Sequence, residues 1–274
     1  MAETLRTRLR ALYPDSSGRR LKLWIETGRV RVNGAVVRRG DVPVAAADRV
    51  ELGAPPPAAP PLPLVHEDAD LLVIDKPAGL LTIADANERE RTAYRLLRDW
   101  LDTRLAGRVF IVHRLDRETS GLVVFARTGA AKRALQAQFR ACTPERVYVA
   151  RVEGAVRDAE GTLTARLVET RSLRVRPARE GGRGRAAITR YRVLERERDE
   201  TLLEVTLVTG RRGQIRAQLA ALGHPIVGDR AYGSRRDPLR RLGLHATRLG
   251  FVHPGGGRVV FESPPPPGFR LRRP

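Results

Sequence analysis

Hydrophobic residues near the N-terminus follow helical spacing first and strand-like alternation afterwards. Leucines three to four residues apart predict a helix over residues 5–12. A second helix is predicted to begin at a cap at Ser16 or Ser17 and to end at Gly28, since serine caps helices and glycine ends them. Residues 30–37 alternate around an Asn-Gly pair, a strong short-range signal for a β-hairpin. The N-terminal part therefore predicts a small α+β module.

The remainder of the chain mixes buried-strand runs, alternating segments and helical periods. Strands are predicted over residues 71–74, 122–126, 148–152, 188–194, 202–208 and 258–261, and helices over residues 92–101, 130–139 and 214–222. These segments show neither a steady strand-helix rhythm nor an internal repeat. Their order favours an α+β fold with a largely antiparallel sheet.

A proline-rich tract separates the two parts of the chain. Residues 54–63 contain six prolines, so this segment cannot pair as a central strand or continue a helix. It predicts a semi-rigid spacer. We therefore expect an N-terminal domain over residues 1–53, a linker over residues 54–63 and a second domain over residues 64–274.

The net charge of the chain says more about its binding partner than the overall composition does. The chain of 274 residues carries a formal net charge of +20, and 48 of its 51 basic residues are arginine. Such an excess indicates a polyanionic partner, with nucleic acid as the first candidate and an anionic membrane surface as the second. Arginine suits bidentate phosphate contacts and stacking on bases, although a GC-rich genome favours the same residue without a functional reason.

Membrane, secretory and disulfide-rich classes receive little support from the sequence. No apolar stretch approaches the roughly 20 residues of a membrane span, and residues 1–6 lack the apolar core of a signal peptide. We therefore expect a cytoplasmic protein that does not associate with membranes. Cys142 is the single cysteine, which excludes an internal disulfide and a multi-cysteine zinc site.

The most informative motif spans residues 112–122, where the Asp116 carboxylate stands among three basic side chains. Asp116 follows His113 and Arg114 and precedes Arg117, just before the predicted strand that follows. The flanking cations would stabilise an ionised carboxylate on a turn beside a rigid sheet, which is the arrangement of a nucleophile or a base. Taken alone, the pattern also fits a turn residue with surface ion pairs.

The complete segment closely resembles the catalytic signature of the RluA-type pseudouridine synthases, which isomerise uridine in structured RNA. The resemblance implies a pseudouridine synthase catalytic fold, with a central, largely antiparallel mixed sheet flanked by helices. It also implies an isomerase, an intramolecular transferase, that breaks the N1–C1′ bond, rotates the uracil and rejoins it through C5. Because no atoms are gained or lost, we expect no cofactor and no metal site.

The resemblance assigns catalytic roles to three side chains. Asp116 is the nucleophile or base near the sugar, and the sequence leaves open whether it attacks ribose or base or abstracts a sugar proton. Tyr148 matches the family's active-site tyrosine, which stacks on uracil and is a candidate for the C5 proton transfer. Arg216 matches the arginine that pairs with the catalytic aspartate and keeps it charged.

The same resemblance marks residues for RNA contact around these motifs. Arg114, two residues before Asp116, is placed to fill the space that an extruded uridine leaves. Further contacts with RNA are expected from His113, Arg117, Arg211, Arg212 and Gln214. The Arg212-Gly213 pair departs from the Thr-His or similar polar pair of many members, which puts any RNA contact of that pair in doubt.

Three other regions are assigned without chemistry of their own. Residues 171–190 hold seven arginines and one glutamate, which predicts a mobile RNA-clamping loop, with a solvated charge run as the alternative. Residues 224–229 and 242–246 resemble family segments that we assign to loop geometry and core packing.

The N-terminal module resembles an S4 RNA-binding domain over most of residues 4–52. Residues 28–34 of the hairpin and 48–50 of the closing strand carry the resemblance, whereas residues 17–19 depart from the usual polar start of the second helix. RNA contacts are expected from Arg19, Arg20, Arg29 and Arg31. A solvated basic surface on an oligomerisation module is the alternative.

Other functions fit parts of the same sequence. A non-catalytic, ribosome-associated S4-type RNA-binding protein would bind RNA without needing Asp116. A nucleoside glycosidase usually needs a second carboxylate in a catalytic role, and the resemblance assigns that role to Asp116 alone. Metal-dependent cleavage has too few candidate ligands in His113 and Asp116. We expect an RNA partner, either 23S ribosomal RNA or transfer RNA, and a monomer, because no apolar interface is obvious.

Overall fold

The structure is a computed structural model that describes residues 3–53, 59–104, 107–170, 174–179 and 182–271. The chain divides into two compact units: the smaller holds residues 1–61 and 96–109, the larger residues 62–95 and 110–274. No sequence pattern predicted that residues 96–109 group with the N-terminal residues. Residues 54–58 of the predicted linker lie outside the described residues. No helix in the described part of the chain is long and apolar enough to span a membrane.

The smaller unit follows the predicted order of helices and hairpin. Its elements are β1 (Glu3–Thr4), α1 (Leu5–Leu12), α2 (Gly18–Glu26), β2 (Val30–Val32), β3 (Ala35–Val36), β4 (Pro43–Val44) and β5 (Val50–Leu52). Ser17 caps α2, and its hydroxyl accepts a hydrogen bond from the Arg20 amide at 3.2 Å. The turn between β2 and β3 holds Asn33 and Gly34 at φ values of 51° and 83°, as a two-residue hairpin turn requires. Both predicted helices and the hairpin are confirmed.

The larger unit carries most of the strands. Its elements are β6 (Leu64–Glu67), β7 (Leu71–Lys76), the start of α3 (Ala93–Arg104), β8 (Phe110–Ile111), β9 (Ser120–Ala126), α4 (Gly129–Ala141), β10 (Glu145–Glu153), β11 (Glu160–Glu169), β12 (Val175–Pro177), β13 (Arg185–Arg196), β14 (Glu200–Leu207), α5 (Gln214–Ala221), a short 3-10 helix (Arg230–Tyr232), β15 (Leu244–Val252) and β16 (Arg258–Glu262).

Among the described residues, these strands form one sheet of eleven strands. Nine follow the order β12-β11-β13-β14-β10-β15-β9-β7-β6, with β16 added to β15 and β8 added to β9. The contact between β15 and β9 is parallel, and the other pairings are antiparallel. The predicted α+β fold with a largely antiparallel mixed sheet is therefore confirmed.

Helices bury the apolar sides of this sheet. Ala131 and Leu135 of α4 join a core cluster with Val124 of β9 and Phe251 of β15. Ala217 of α5 packs in a second cluster with strands β11 to β13. These contacts hold β9 and α5 in fixed positions, and the candidate catalytic residues lie next to those two elements.

Two predictions about strands are wrong. The arginine-rich residues 171–190, predicted as a loop, include β12 and the start of β13, which both pair with β11. Residues 171–173 and 180–181 lie outside the described residues. Strand β11 itself was missed, because its Glu-Gly-Thr-Leu-Thr-Ala-Arg-Leu-Val-Glu sequence is mostly polar and partly exposed. Hydrogen-bonded pairing with β13 stabilises this strand.

The parallel contact between β9 and β15 depends on one glycine. Gly121 lies opposite Ala246 at this contact, and its φ is 112°. A Cβ at position 121 would collide with the backbone of Ala246. Glycine is therefore required here both for its backbone conformation and for the close approach of the two strands.

We expect Gly121→Ala to lower the free energy of unfolding by at least about 2 kcal/mol, because alanine disfavours positive φ and overpacks this contact. Urea unfolding followed by circular dichroism measures the change. Gly129→Ala is the matched control, because a Cβ at the start of α4 has Arg133 Nη1 as its nearest neighbour at 3.5 Å. Equal stability of the two variants would contradict the described β9–β15 contact.

Candidate active site

A cleft of about 330 Å³ brings the three predicted catalytic side chains together. Asp116 enters it from the loop between β8 and β9, Tyr148 from β10, and Arg216 from the first turn of α5. Register explains the juxtaposition, because Ala246 of β15 pairs with Tyr148 on one side and with Gly121 on the other. Residues separated by up to 100 positions in the sequence thus meet at one end of three neighbouring strands.

The loop that carries Asp116 is fixed at the residue before it. Thr82, which is 1% exposed, donates its hydroxyl to the Leu115 carbonyl at 3.0 Å and accepts from the Leu115 amide at 3.1 Å. One buried hydroxyl therefore satisfies both polar groups of this residue. Buried backbone groups held in this way leave the loop little freedom.

The residue after Asp116 is held from the same segment of chain. The Lys76 ammonium donates to the carbonyls of Pro77, Leu80 and Arg117 at 2.9, 2.7 and 3.1 Å. The Gly79 amide donates to the Arg117 carbonyl as well, at 2.9 Å. Burial lowers the pKa of Lys76 to about 8, against the opposing charges of Glu118 and Asp116. We call Thr82, Lys76 and Gly79 the loop clamp.

Arg216 has two carboxylate partners, and the nearer one was not predicted. Its Nε and Nη2 donate to the two oxygens of Asp229 at 2.7 and 2.8 Å. Its Nη1 lies 3.6 Å from Asp116 Oδ2. Burial alone would lower the pKa of Arg216, but the hydrogen bonds and charge of Asp229, together with Asp116, raise it. The guanidinium is thus oriented by Asp229 and presents its third nitrogen to Asp116.

This geometry corrects the assignment of residues 224–229 to loop geometry and packing alone. Asp229 is 2% exposed and stands next to the short helix that carries Tyr232. The Tyr232 ring lies 4.8 Å from the Arg216 guanidinium carbon. Asp229 and Tyr232 therefore complete the setting of Arg216. The bidentate pairing gave no local signal, because it joins positions 13 residues apart across a helix and a loop.

Tyr148 lines the cleft with its ring nearly enclosed, at 8% exposure. Burial raises the pKa of Tyr148 to about 12, with a further contribution from the charge of Asp116. The hydroxyl is therefore protonated at neutral pH. A buried, neutral phenol beside an open cleft offers a flat face for stacking and one O–H donor.

Two residues predicted to contact RNA line the cleft and also make contacts within the protein. His113 stacks on Phe139 at 4.4 Å, and its Nε2 accepts a hydrogen bond from the Val124 amide at 3.1 Å. Burial lowers the pKa of His113 to about 3, so it is neutral and cannot pair with phosphate as a cation. Gln214 is 2% exposed.

The Gln214 amide is fully occupied within the protein. Its Nε2 donates to the Ile188 carbonyl and the Thr189 hydroxyl at 3.1 and 2.8 Å. Its Oε1 accepts from the Thr209 hydroxyl and the Arg211 amide, both at 3.0 Å. Gln214 therefore ties the start of α5 to the sheet, and it also lines the cleft, so its contact with RNA stays a prediction.

Four arginines predicted to contact RNA do lie on the surface around the cleft. Arg114, Arg211 and Arg212 line it, and Arg117 is exposed one residue beyond Asp116. Arg212 pairs with Glu169 at 2.5 Å across an exposed surface. An exposed pair of this kind is weak and exchanges readily for a phosphate.

The N-terminal candidates separate into exposed and buried groups. Arg19 and Arg31 are exposed, and Arg19 pairs with Asp99 at 3.2 Å within the smaller unit. Arg20 is half-buried with its guanidinium carbon 5.9 Å from the Trp24 ring. Arg29 is 3% exposed, and its Nε donates to the Gly53 carbonyl at 3.2 Å. The expectation that Arg29 contacts RNA is therefore corrected, because it packs inside the module.

The cleft wall also holds a cation, Arg146, that the sequence motifs did not indicate. Arg146 lines the cleft at 7% exposure, two residues before Tyr148 on β10. Its side chain was not singled out, because an arginine near the start of a strand is usually an exposed residue. Burial at this position becomes evident only after β10 is placed between β14 and β15.

Comparison with known proteins identifies the family. The family model of RNA pseudouridylate synthase matches residues 70–221. The chain is 39% identical to "Ribosomal large subunit pseudouridine synthase D" of Pseudomonas aeruginosa, over 94% of this chain and 87% of that protein. The chain belongs to the RNA pseudouridine synthase family. It is an isomerase that converts uridine in RNA to pseudouridine, as the resemblance of the motif around Asp116 indicated.

Two further relatives extend this agreement. An "Uncharacterized RNA pseudouridine synthase" of Aquifex aeolicus is 35% identical over 94% of this chain and 89% of that protein. The solved structure "Human RNA Pseudouridylate Synthase Domain Containing 1" superposes with a TM-score of 0.63 at 25% identity. That superposition covers 76% of this chain and 85% of the human chain.

We expect Lys76→Met to lower kcat of the synthase by at least about tenfold while the Kd for RNA changes by less than about threefold, since the clamp positions Asp116 without touching RNA. In the unmodified enzyme, kcat should fall as pH rises through the Lys76 pKa of about 8. A neutral amine has two N–H donors for three carbonyls, so the clamp loses one hydrogen bond.

Lys132→Met on α4 is the matched control and should leave kcat unchanged. Because the pKa of Lys76 is lowered in the folded state, the unfolded chain binds more protons between about pH 8 and the ordinary value of 10.5. Stability relative to Lys76→Met should therefore rise with pH across that window. A Lys76→Met variant with the same kcat as the unmodified enzyme would refute the clamp. So would a kcat of the unmodified enzyme that stays constant as Lys76 loses its proton.

We expect Asp229→Asn to lower the single-turnover rate by at least about tenfold, because one amide oxygen cannot accept both N–H groups of the Arg216 fork. The rate is measured per mole of folded protein, with folding checked by thermal unfolding. Asp237→Asn serves as the control, since Asp237 contacts Arg230 at 3.9 Å away from the cleft residues. A normal rate in Asp229→Asn would show that Arg216 needs no such support.

Proposed function

We propose that this pseudouridine synthase modifies uridines of large-subunit ribosomal RNA and that Asp116 starts the reaction. One observation carries the assignment of Asp116. Its carboxylate stands on a loop fixed by Thr82 and Lys76, 3.6 Å from the guanidinium of Arg216 and in the same cleft as Tyr148. A carboxylate that is oriented, ionised and open to a cleft has the properties of a nucleophile or base.

The substrate uridine must leave its stack before it reaches this cleft. Extrusion costs a few kcal/mol, and cations at the rim of the cleft offset part of it through contacts with phosphate. Arg114, Arg211 and Arg212 occupy that rim. Arg114 also stands two residues from Asp116, close enough to the entering nucleotide to occupy the space it leaves.

Inside the cleft, Asp116 acts at the sugar. It either forms a bond to C1′ or removes a sugar proton, and both routes release the uracil from C1′. Tyr148 holds the base by stacking, a contact worth on the order of 1 to 3 kcal/mol. With its pKa raised to about 12 by burial, Tyr148 carries its proton at rest. Loss of the negative charge of Asp116 during the reaction removes one cause of this raised pKa, so the phenol then gives up its proton more readily.

The relatives' names support the ribosomal target. The Pseudomonas aeruginosa protein named for the large ribosomal subunit matches 94% of this chain, so the match includes much of the N-terminal unit. We assign the N-terminal domain predicted over residues 1–53 to S4-type RNA binding through exposed Arg19 and Arg31. The net charge of +20 suits a large, dense polyanion. Transfer RNA is the competing substrate.

We expect Asp116→Asn to reduce release of C5 tritium from labelled RNA by about 10⁴-fold or more, because an amide is neither a nucleophile nor a base here. Binding of the same RNA should change by less than about threefold, since phosphate contacts supply most of the affinity. Asp158→Asn, an exposed aspartate on a loop, is the control and should keep full activity.

Target choice is measured by mapping pseudouridines in cells that carry the Asp116→Asn allele. Loss of sites in large-subunit ribosomal RNA is the expected result, with transfer RNA unchanged. Loss confined to transfer RNA would replace the proposed target. Tritium release that persists in Asp116→Asn would reject the catalytic assignment, and binding without any release by the unmodified protein would favour the non-catalytic RNA-binding alternative.

A further inference from the structure

Arg146 is a buried cation in the cleft wall. It is 7% exposed, and neither its Nε nor its Nη2 has a hydrogen-bond acceptor among the described residues. Leaving a buried charge uncompensated costs several kcal/mol. Such a side chain is retained when a ligand supplies the missing acceptor, as happens in sites that are completed by their substrate.

The position of Arg146 places it beside the base rather than the RNA backbone. Arg146 and Tyr148 are two residues apart on β10, so their side chains leave the same face of the strand. Both line the cleft. The exposed arginines at the rim are available for phosphate, whereas Arg146 lies where the stacked uracil is expected.

Gly210 makes room for this guanidinium. A Cβ at position 210 would collide with Nη1 of Arg146. The φ of Gly210 is not among the positive values, so its backbone does not itself require glycine. Glycine fits this position because the absence of a side chain leaves space for the guanidinium, and not because of its backbone conformation.

The reaction creates a negative charge at this place. When the N1–C1′ bond breaks, its electron pair stays on the uracil, which becomes an anion with charge on N1, O2 and O4. C1′ gains a bond to the Asp116 carboxylate, or the sugar gives a proton to Asp116. Later C5 bonds to C1′ as the bond from C1′ to Asp116 breaks, or as Asp116 returns its proton to the sugar. A base then takes the C5 proton, N1 gains a proton, and the Asp116 carboxylate is restored.

We infer that Arg146 binds a carbonyl oxygen of the uracil and stabilises the anion formed when the base leaves the sugar. This inference rests on the proposed role of the cleft as the uridine pocket. A fixed cation aimed at developing charge in an enclosed site is worth far more than the same cation in water. Arg146 thereby lowers the barrier to cleavage without contributing much to RNA affinity.

Single-turnover kinetics of Arg146→Met test the inference. The rate of tritium release should fall by about 10² to 10³-fold, the usual loss for one such donor. The Kd for RNA should change by less than about threefold, and its salt dependence should be unaltered, because no phosphate contact is removed. Arg146→Lys should recover at least about a tenth of the lost rate, since it restores the charge without the planar fork.

A second substrate separates charge stabilisation from a structural role. In 5-fluorouridine the fluorine withdraws electrons and stabilises the anion of the departing base. The base therefore leaves C1′ more easily and depends less on stabilisation by Arg146. The rate defect of Arg146→Met in N1–C1′ cleavage, followed by mass spectrometry of digested RNA, should be several-fold smaller with this substrate. An equal defect with both substrates would overturn the inference, because a misfolded pocket harms both alike.

Gly210→Ala provides a variant that keeps the arginine but displaces it. It should lose rate in the same direction as Arg146→Met, with Gly129→Ala unaffected. Arg133→Met, an exposed arginine on α4, is the control for loss of a positive charge. If Arg146→Met instead raises the Kd and lowers its salt dependence, Arg146 contacts phosphate and the inference is wrong.

Failure of this inference is distinguishable from failure of the proposed function. Normal turnover in Arg146→Met together with none in Asp116→Asn would reject the role of Arg146 and leave Asp116 in place. Turnover that persists in Asp116→Asn would instead reject the proposed function itself.

Discussion

The immobility of a single peptide segment is the constraint on which this active site depends. Leu115 and Arg117, the neighbours of Asp116, have their backbone groups held by Thr82, Lys76 and the Gly79 amide. All three donors come from residues 76–82, which begin at the last residue of β7. Because β7 pairs along its length with β9, the clamp and the clamped loop are parts of one rigid piece of sheet. A carboxylate fixed in this way meets its substrate without first losing conformational entropy.

Charge in the cleft is divided between exposed and buried cations. The rim arginines are solvated, so each of their contacts with RNA is weak and the affinity comes from several contacts together. Arg216 is buried and committed to Asp229 by two short hydrogen bonds, which leaves Asp116 with the longer contact of 3.6 Å. Arg216 thus faces Asp116 without forming a short hydrogen bond to it. Arg146 has no acceptor among the described residues for its Nε and Nη2. Its guanidinium is therefore in position before the reaction creates a negative charge on the uracil.

Local sequence predicted those features that local interactions determine. The Ser17 cap, the Asn33-Gly34 turn and the apolar run of β9 are written in consecutive residues, and the structure has all three. The motif around Asp116 was readable because the loop and its strand are adjacent. Strand β11 and the parallel β9–β15 contact were not predicted, since they depend on partners 18 to 125 residues away. The pairing of Arg216 with Asp229 and the internal bonds of His113 and Gln214 were missed for the same reason: burial and partners follow from tertiary packing.

The most direct test of the account is a crystal structure of the enzyme bound to RNA that carries 5-fluorouridine at the target position. The account predicts an extruded nucleotide with C1′ within about 3.5 Å of an Asp116 oxygen, its uracil against Tyr148 and a uracil oxygen on Arg146. The loop clamp should be unchanged from the unbound protein. A uridine that remains stacked in the RNA, or a nucleotide bound with Asp116 turned away from its sugar, would contradict the account.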